Sequence, residues 1–165
     1  GRPKLIGVQS EAANPLARSW ESSHKGNVGE VVASVEWLTT YKPLIKVGET
    51  TATAALIGNP VSYTKVMREI NSSSGAVLTA KEKDLNEAVL VAGSDGHFVC
   101  PQTGTAIAGL RQAVDRGFIK RGQRVVLVST ATGLKFSHVP VKFTKNSVTE
   151  TKTCNTEGVA SIIGV

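Results

Sequence analysis

The chain has 165 residues, of which 41% are hydrophobic and 19% charged, the balance of one globular domain with a core of its own. It holds no run of about 20 apolar residues, so no membrane-spanning helix is expected. The net charge of +6 comes from scattered basic residues, and only 5% of the chain is aromatic, which argues against a base-stacking nucleic-acid surface and for a pocket that takes an anionic small molecule. Residues 4–9 form a short β-prone run and read as a strand. Residues 11–21 read as a helix with Pro15 near its start, where a missing N–H leaves no partner unsatisfied. Residues 24–29 read as a loop, and 31–38 fit either a strand or a helical face through Val31, Val32, Val35 and Leu38. Residues 49–57, rich in Thr and Ala, read as a close-packed helix stopped by Gly58-Asn59-Pro60. Residues 62–71 read as the next helix and 75–78 as a strand.

Thr79-Ala80-Lys81-Glu82 has the spacing of a capping box, in which the Thr79 hydroxyl accepts from the third residue's N–H and Glu82 reaches back. Leu85, Ala88, Val89 and Ala92 then recur at helical spacing until Gly93 to Gly96. Residues 97–100 are a strand candidate. Residues 103–116 read as a helix burying Ile107, Leu110 and Val114, ended by Gly117. Val125 to Val128 is the strongest strand: four consecutive apolar residues suit a parallel strand covered on both faces. After Phe136 the chain turns polar and Thr-rich and reads as an extended or loosely packed tail. Strands and helices thus alternate, and the expected class is α/β with a mostly parallel sheet and flanking helices.

Cys100 and Cys154 are too few for a disulfide framework, and His24, His97 and His138 stand at no metal-ligand spacing. Both cysteines read as buried, reduced thiols, as in an intracellular protein. In open α/β sheets ligands sit beyond the carboxyl ends of strands. Ser129 and Thr130 stand at that end of the 125–128 run, before the small-residue turn Ala131-Thr132-Gly133. Their hydroxyls either hydrogen-bond a ligand there or only satisfy the strand's end.

STATGLKF (129–136) resembles the C-terminal motif of the threonine synthase family. Four further segments agree in the family's order: PKLIGVQSEAANPL (3–16), TTATAALIGNPVS (50–62), the turn into TAKEKDL (79–85) and FVCPQTGTAIAGL (98–110). The resemblance covers residues 3–136. It implies the tryptophan-synthase-β-like architecture, fold type II, of pyridoxal-phosphate enzymes. Residues 1–136 would be the C-terminal part of the cofactor-binding domain and 137–165 the tail. By the same resemblance Thr130 is the ligand of the pyridine nitrogen of pyridoxal 5'-phosphate, and a neutral hydroxyl there leaves the ring less electron-withdrawing than a carboxylate would. Gly58-Asn59-Pro60 and Pro101-Gln102-Thr103 would be loops near the site.

The activity implied is conversion of O-phosphohomoserine and water to threonine and phosphate. The implied enzyme is a homodimer with a phosphorylated amino-acid substrate, cytoplasmic, or plastidic in a plant, with neither nucleic acid nor membrane as partner. Thr132 and Gln102 stand where family members often carry His, which leaves open a relative performing β-replacement on O-phosphoserine, as cysteate synthase does. The family's Schiff-base lysine lies in a Ser-Phe-Lys-Asp motif that this sequence does not contain; Lys83-Asp84 reads as an exposed helix face. The Gly-Gly-Asn-x-Gly phosphate loop is also missing, and Gly26-Asn27-Val28-Gly29 is a weak substitute. With no initiator methionine, the chain reads as a C-terminal fragment, and a non-catalytic domain that keeps the fold is the third reading.

Overall fold

The computed structural model describes residues 2–24 and 34–143. In chain order they form β1 (Ile6–Ser10), α1 (Pro15–His24), α2 (Ser34–Thr40), a 3-10 turn (Thr53–Ala55), α3 (Tyr63–Ser72), β2 (Ala76–Ala80), α4 (Glu82–Ser94), α5 (Pro101–Asp115), a second 3-10 turn (Gly133–Phe136) and α6 (His138–Phe143). β1 and β2 pair in parallel, Ile6 opposite Ala76 through Ser10 opposite Ala80, as the α/β pattern predicts. Parallel strands need a long crossover, which α1 to α3 supply.

Why these residues fold this way follows from what each element buries. α1 turns Leu16, Ala17 and Trp20 inward, against Trp37 of α2, Met67 and Ile70 of α3, and Val77 and Leu78 of β2. His24, expected in a loop, is instead the buried last residue of α1. Its ring stacks on Trp20 with centroids 4.8 Å apart and meets Trp37 edge-on at 5.2 Å. The Trp37 indole N–H donates to Ser19 Oγ at 2.8 Å, whereas the buried Trp20 indole N–H has no hydrogen-bond partner among the described residues. α5 crosses β1 and β2, and Gly109 lets it do so: a Cβ there would overlap the Val8 side chain. The residues α5 buries are small, among them Gly104, Ala108, Gly109 and Ala113. Ile107 and Leu110, expected inside, are only half-buried, and Val114 is 51% exposed. Helix-to-sheet contact here is set by close backbone approach rather than by large side chains.

Five further expectations are corrected. Residues 49–57 hold only the single 3-10 turn, because Thr50 and Thr51 bond to Glu82 on α4 instead of continuing a helix: Thr50 Oγ1 donates to Glu82 Oε2 at 2.7 Å, and the Thr51 N–H donates to Oε1 at 2.8 Å. The capping box is not formed. Thr79 belongs to β2, Lys81 is the N-cap, and the Glu11 carboxylate takes the Glu82 N–H at 2.8 Å. The 97–100 strand shrinks to one antiparallel bridge, Val99 to Thr132. The 125–128 run joins no sheet among the described residues, and Val126 and Val128 are 85% and 71% exposed. Apolarity marks a segment fit to be covered, but a strand also needs a neighbour to pair with, and the run pairs with neither β1 nor β2. Past Phe136, residues 138–143 form α6 rather than extended chain. Residues 25–33, with the Gly26 to Gly29 motif and part of the ambiguous 31–38 run, and residues 144–165, with Cys154, lie outside the described residues.

Candidate functional site

The site is built where the start of α5 meets the 129–133 segment. Pro101 opens α5 at a position that has no hydrogen bond to lose, with Cys100 as the extended N-cap residue. Pro101-Gln102-Thr103 is therefore a first helical turn, not a loop. The chain just before it is clipped to the second segment by backbone bonds: Cys100 N–H to Ala131 O at 3.3 Å and Gly133 N–H to Phe98 O at 2.9 Å. Gly133 is required for this approach, since a Cβ would stand 2.7 Å from the Phe98 ring. Thr132 turns its hydroxyl back to accept the Leu134 N–H at 3.3 Å, which caps the 3-10 turn.

This clip brings four polar side chains together. Cys100 Sγ is 3.3 Å from Thr103 Oγ1 and 3.6 Å from Thr130 Oγ1, and Thr103 Oγ1 is 3.3 Å from Ser129 Oγ. Cys100 and Thr103 are buried, while Ser129 and Thr130 are exposed. Burial pushes the Cys100 thiol up, but hydrogen bonding with the Thr103 and Thr130 hydroxyls and with the Thr103 and Ala131 backbone more than offsets it and holds the thiol below its ordinary range. In the first turn of α5, Gln102 has its Nε2 buried with no hydrogen-bond partner among the described residues.

Sequence reasoning placed Thr130 here and put Pro101 to Thr103 nearby, and the structure joins the two. It places Gly58-Asn59-Pro60 elsewhere in its contacts, with Gly58 O accepting from Leu44 N–H at 2.8 Å and Asn59 Oδ1 from the Tyr41 hydroxyl at 3.1 Å. Lys83 and Asp84 are exposed on α4, as the helix-face reading has it. Sequence reasoning missed Cys100 as the partner of Thr130 and Thr103 as the partner of Ser129. The signal was available in part: a thiol and a hydroxyl three apart across a helix start share one side of its first turn.

The arrangement suits a neutral heteroaromatic nitrogen. A threonine hydroxyl has one proton and two acceptor sites, and among the described residues Thr130 uses its side chain on one partner only, Cys100. Its hydroxyl is exposed, and the hydrogen-bonded cluster contains no carboxylate that would draw a proton onto the ring. These residues therefore fit the pyridine side of pyridoxal phosphate, with Thr130 as the group that would hold the ring nitrogen.

A polar cluster at the carboxyl end of an extended segment, beside a parallel α/β core, is the setting in which cofactor enzymes of this architecture work. Residues 1–131 match the family model described as pyridoxal-phosphate dependent enzyme, and the chain belongs to that family. Among known proteins it is similar to threonine synthase 2, chloroplastic, of Arabidopsis thaliana, 34% identical over 148 residues that make up 90% of this chain and 26% of that protein. It is also similar to the threonine synthases of Methanocaldococcus jannaschii, 34% identical over 81% of this chain and 29% of the relative, and of Halalkalibacterium halodurans, 39% identical over 82% and 32%. The chain thus spans between about a quarter and a third of the length of these relatives. The α/β class, the family and its cofactor agree with the sequence reading. No helix among the described residues is long and apolar enough to cross a membrane.

Proposed function

We propose that this chain is a C-terminal part of a threonine synthase, which converts O-phosphohomoserine and water to threonine and phosphate. The observation that carries the reading is the meeting of Thr130 with the first turn of α5, within a chain whose curated relatives named above are threonine synthases. Pyridoxal phosphate, when bound, supplies a ring that withdraws electrons from the amino-acid substrate. This chain's residues act on the ring's position and charge. The Thr130 hydroxyl would donate to the ring nitrogen and hold it in its neutral form. Buried Cys100 holds Thr130 from behind, buried Thr103 holds Cys100 and Ser129, and the bonds from Cys100 to Ala131 and from Gly133 to Phe98 keep the two segments in register. The covalent lysine and the phosphate loop belong, on this reading, to motifs that this sequence does not contain.

The scattered positive charge fits a phosphorylated amino acid as substrate. A homodimer and a cytoplasmic or plastid location are part of the same proposal. A β-replacement enzyme acting on O-phosphoserine is the second reading, favoured by one observation: Gln102 places a buried, unpartnered amide at the start of α5. Supplying the complete enzyme with each phosphorylated amino acid in turn decides between them. Threonine and phosphate from O-phosphohomoserine are expected, while turnover of O-phosphoserine alone would replace the first reading with the second. Turnover of neither, in a protein that binds the cofactor, would leave a non-catalytic domain.

A further inference from the structure

We infer that Cys100 is a positioning residue of this site, its thiol donating to Thr130 Oγ1 so that the single Thr130 proton is left for the ring nitrogen. The inference rests on the proposed function, which puts a ring nitrogen against Thr130. From there the proton count leaves one arrangement. Thr103, Ser129 and Thr130 carry one hydroxyl proton each, and Cys100 carries one thiol proton. If Thr130 gives its proton to the ring, the 3.6 Å contact with Cys100 Sγ is made by the thiol proton. Cys100 then has none left, so the 3.3 Å contact with Thr103 is a donation from the Thr103 hydroxyl to sulfur. Thr103 in turn has none left, so the 3.3 Å contact with Ser129 is a donation from Ser129. The protons run one way, from Ser129 through Thr103 and Cys100 to Thr130.

Burial of Cys100 and Thr103 shields the middle of the chain from competing water. The backbone bond from Cys100 to Ala131 holds the sulfur beside Thr130, so the contact is set by the fold and its direction by the ring nitrogen. Sulfur is a weak acceptor, so it competes less with the ring nitrogen for the Thr130 proton than a carbonyl or carboxylate would. The established family match assigns no role to this residue.

The test uses the holoenzyme with Cys100→Ser, Cys100→Ala and Thr130→Val. Cys100→Ser keeps one donor and one acceptor and is expected to retain the parent's cofactor absorbance and affinity. Cys100→Ala removes both, and is expected to shift the absorbance of bound pyridoxal phosphate and weaken its binding on the order of 2- to 10-fold, the loss of one hydrogen bond. In the infrared, the Cys100 S–H stretch, isolated as the difference between parent and Cys100→Ser, is expected to lie below that of a free thiol and to move toward it in Thr130→Val. A Cys100→Ala enzyme that binds cofactor with the parent's spectrum and affinity, or an S–H band at the free-thiol position, overturns the inference while the proposed function stands. A parent protein that takes up no pyridoxal phosphate overturns both. A Cys100 acting only as packing would give equal losses of stability in the two variants with no change in the cofactor spectrum.

Discussion

Gly104 sits in the first turns of α5, one helical turn after Cys100, and its replacement by alanine asks how tightly α4 and α5 are locked beneath the site. In a free helix the change would stabilise by about 1 kcal/mol, since glycine is the poorer helix former. Here a Cβ would stand 2.6 Å from the Leu85 carbonyl oxygen and 2.5 Å from Val89 Cγ2. The oxygen is backbone and cannot rotate away, and Val89 is β-branched with little χ1 freedom. To reach an ordinary 3.4 Å contact, α4 must retreat from α5 by 3.4 − 2.6 = 0.8 Å. Overpacking of this kind costs about 1–3 kcal/mol, so after the gain in helix propensity of about 1 kcal/mol the net loss is about 0–2 kcal/mol. For a chain of this size that lowers Tm by up to roughly 8 °C. Gly93, near the end of α4, is the matched control, with nothing within 4 Å of its Cβ position, and Gly93→Ala is expected to be neutral or to stabilise by up to about 1 kcal/mol. Thermal and urea unfolding of the two variants beside the parent decide the matter. Equal stability of Gly104→Ala and Gly93→Ala would refute the close α4–α5 contact and the rigid seat it gives Cys100 and Thr103.

Other predictions test the rest of the fold. Burial pushes the Glu82 carboxyl up, but the Thr51 N–H, the Thr50 and Thr51 hydroxyls and the Asn86 amide more than offset it and hold the group below the ordinary glutamate range. Because the folded pKa is the lower one, Glu82 contributes stability that is present above the unfolded value of about 4.3 and is lost as pH falls through the folded pKa. Urea midpoints measured downward from about pH 6 should therefore fall less steeply in Glu82→Gln than in the parent, and parallel acid limbs would contradict this. Leu78, fully buried in β2, should cost about 2–5 kcal/mol on truncation to alanine by the same unfolding assay. Val126→Thr should change the stability of this chain by less than about 0.5 kcal/mol, since the side chain is exposed; a loss of several kcal/mol would restore the covered strand that its sequence suggests.

What could be read in the sequence was what depends on neighbours a few residues away. Apolar spacing and breakers locate β1, β2, α1, α3, α4 and α5 to within a few residues, and Pro15 and Pro101 stand at the helix starts where their chemistry allows them. What failed depends on partners far along the chain. Thr50 and Thr51 leave the helix their composition favours because Glu82 takes their donors from 31 and 32 residues away. Glu82 is free to do so because Glu11, from across the sheet, takes its N–H. The buried side of α5 was misread because glycines and alanines carry no hydrophobic signal, yet they decide how near the helix comes to Val8. Within the site, Thr130 was legible through the motif STATGLKF. Cys100 was legible as a buried thiol, but its contact with Thr130 spans 30 residues and no local pattern reports it.

The central claim is that this chain builds the pyridine side of a pyridoxal-phosphate site, with Thr130 as the group on the ring nitrogen. Its most direct test is the absorbance spectrum and cofactor affinity of the holoenzyme with Thr130→Val, an exchange that keeps the side chain's shape and removes the hydroxyl. The account predicts a shifted cofactor band and binding weakened by about 2- to 10-fold, the loss of one hydrogen bond. A Thr130→Val enzyme with the parent's spectrum and affinity would remove Thr130 from the site and contradict the account.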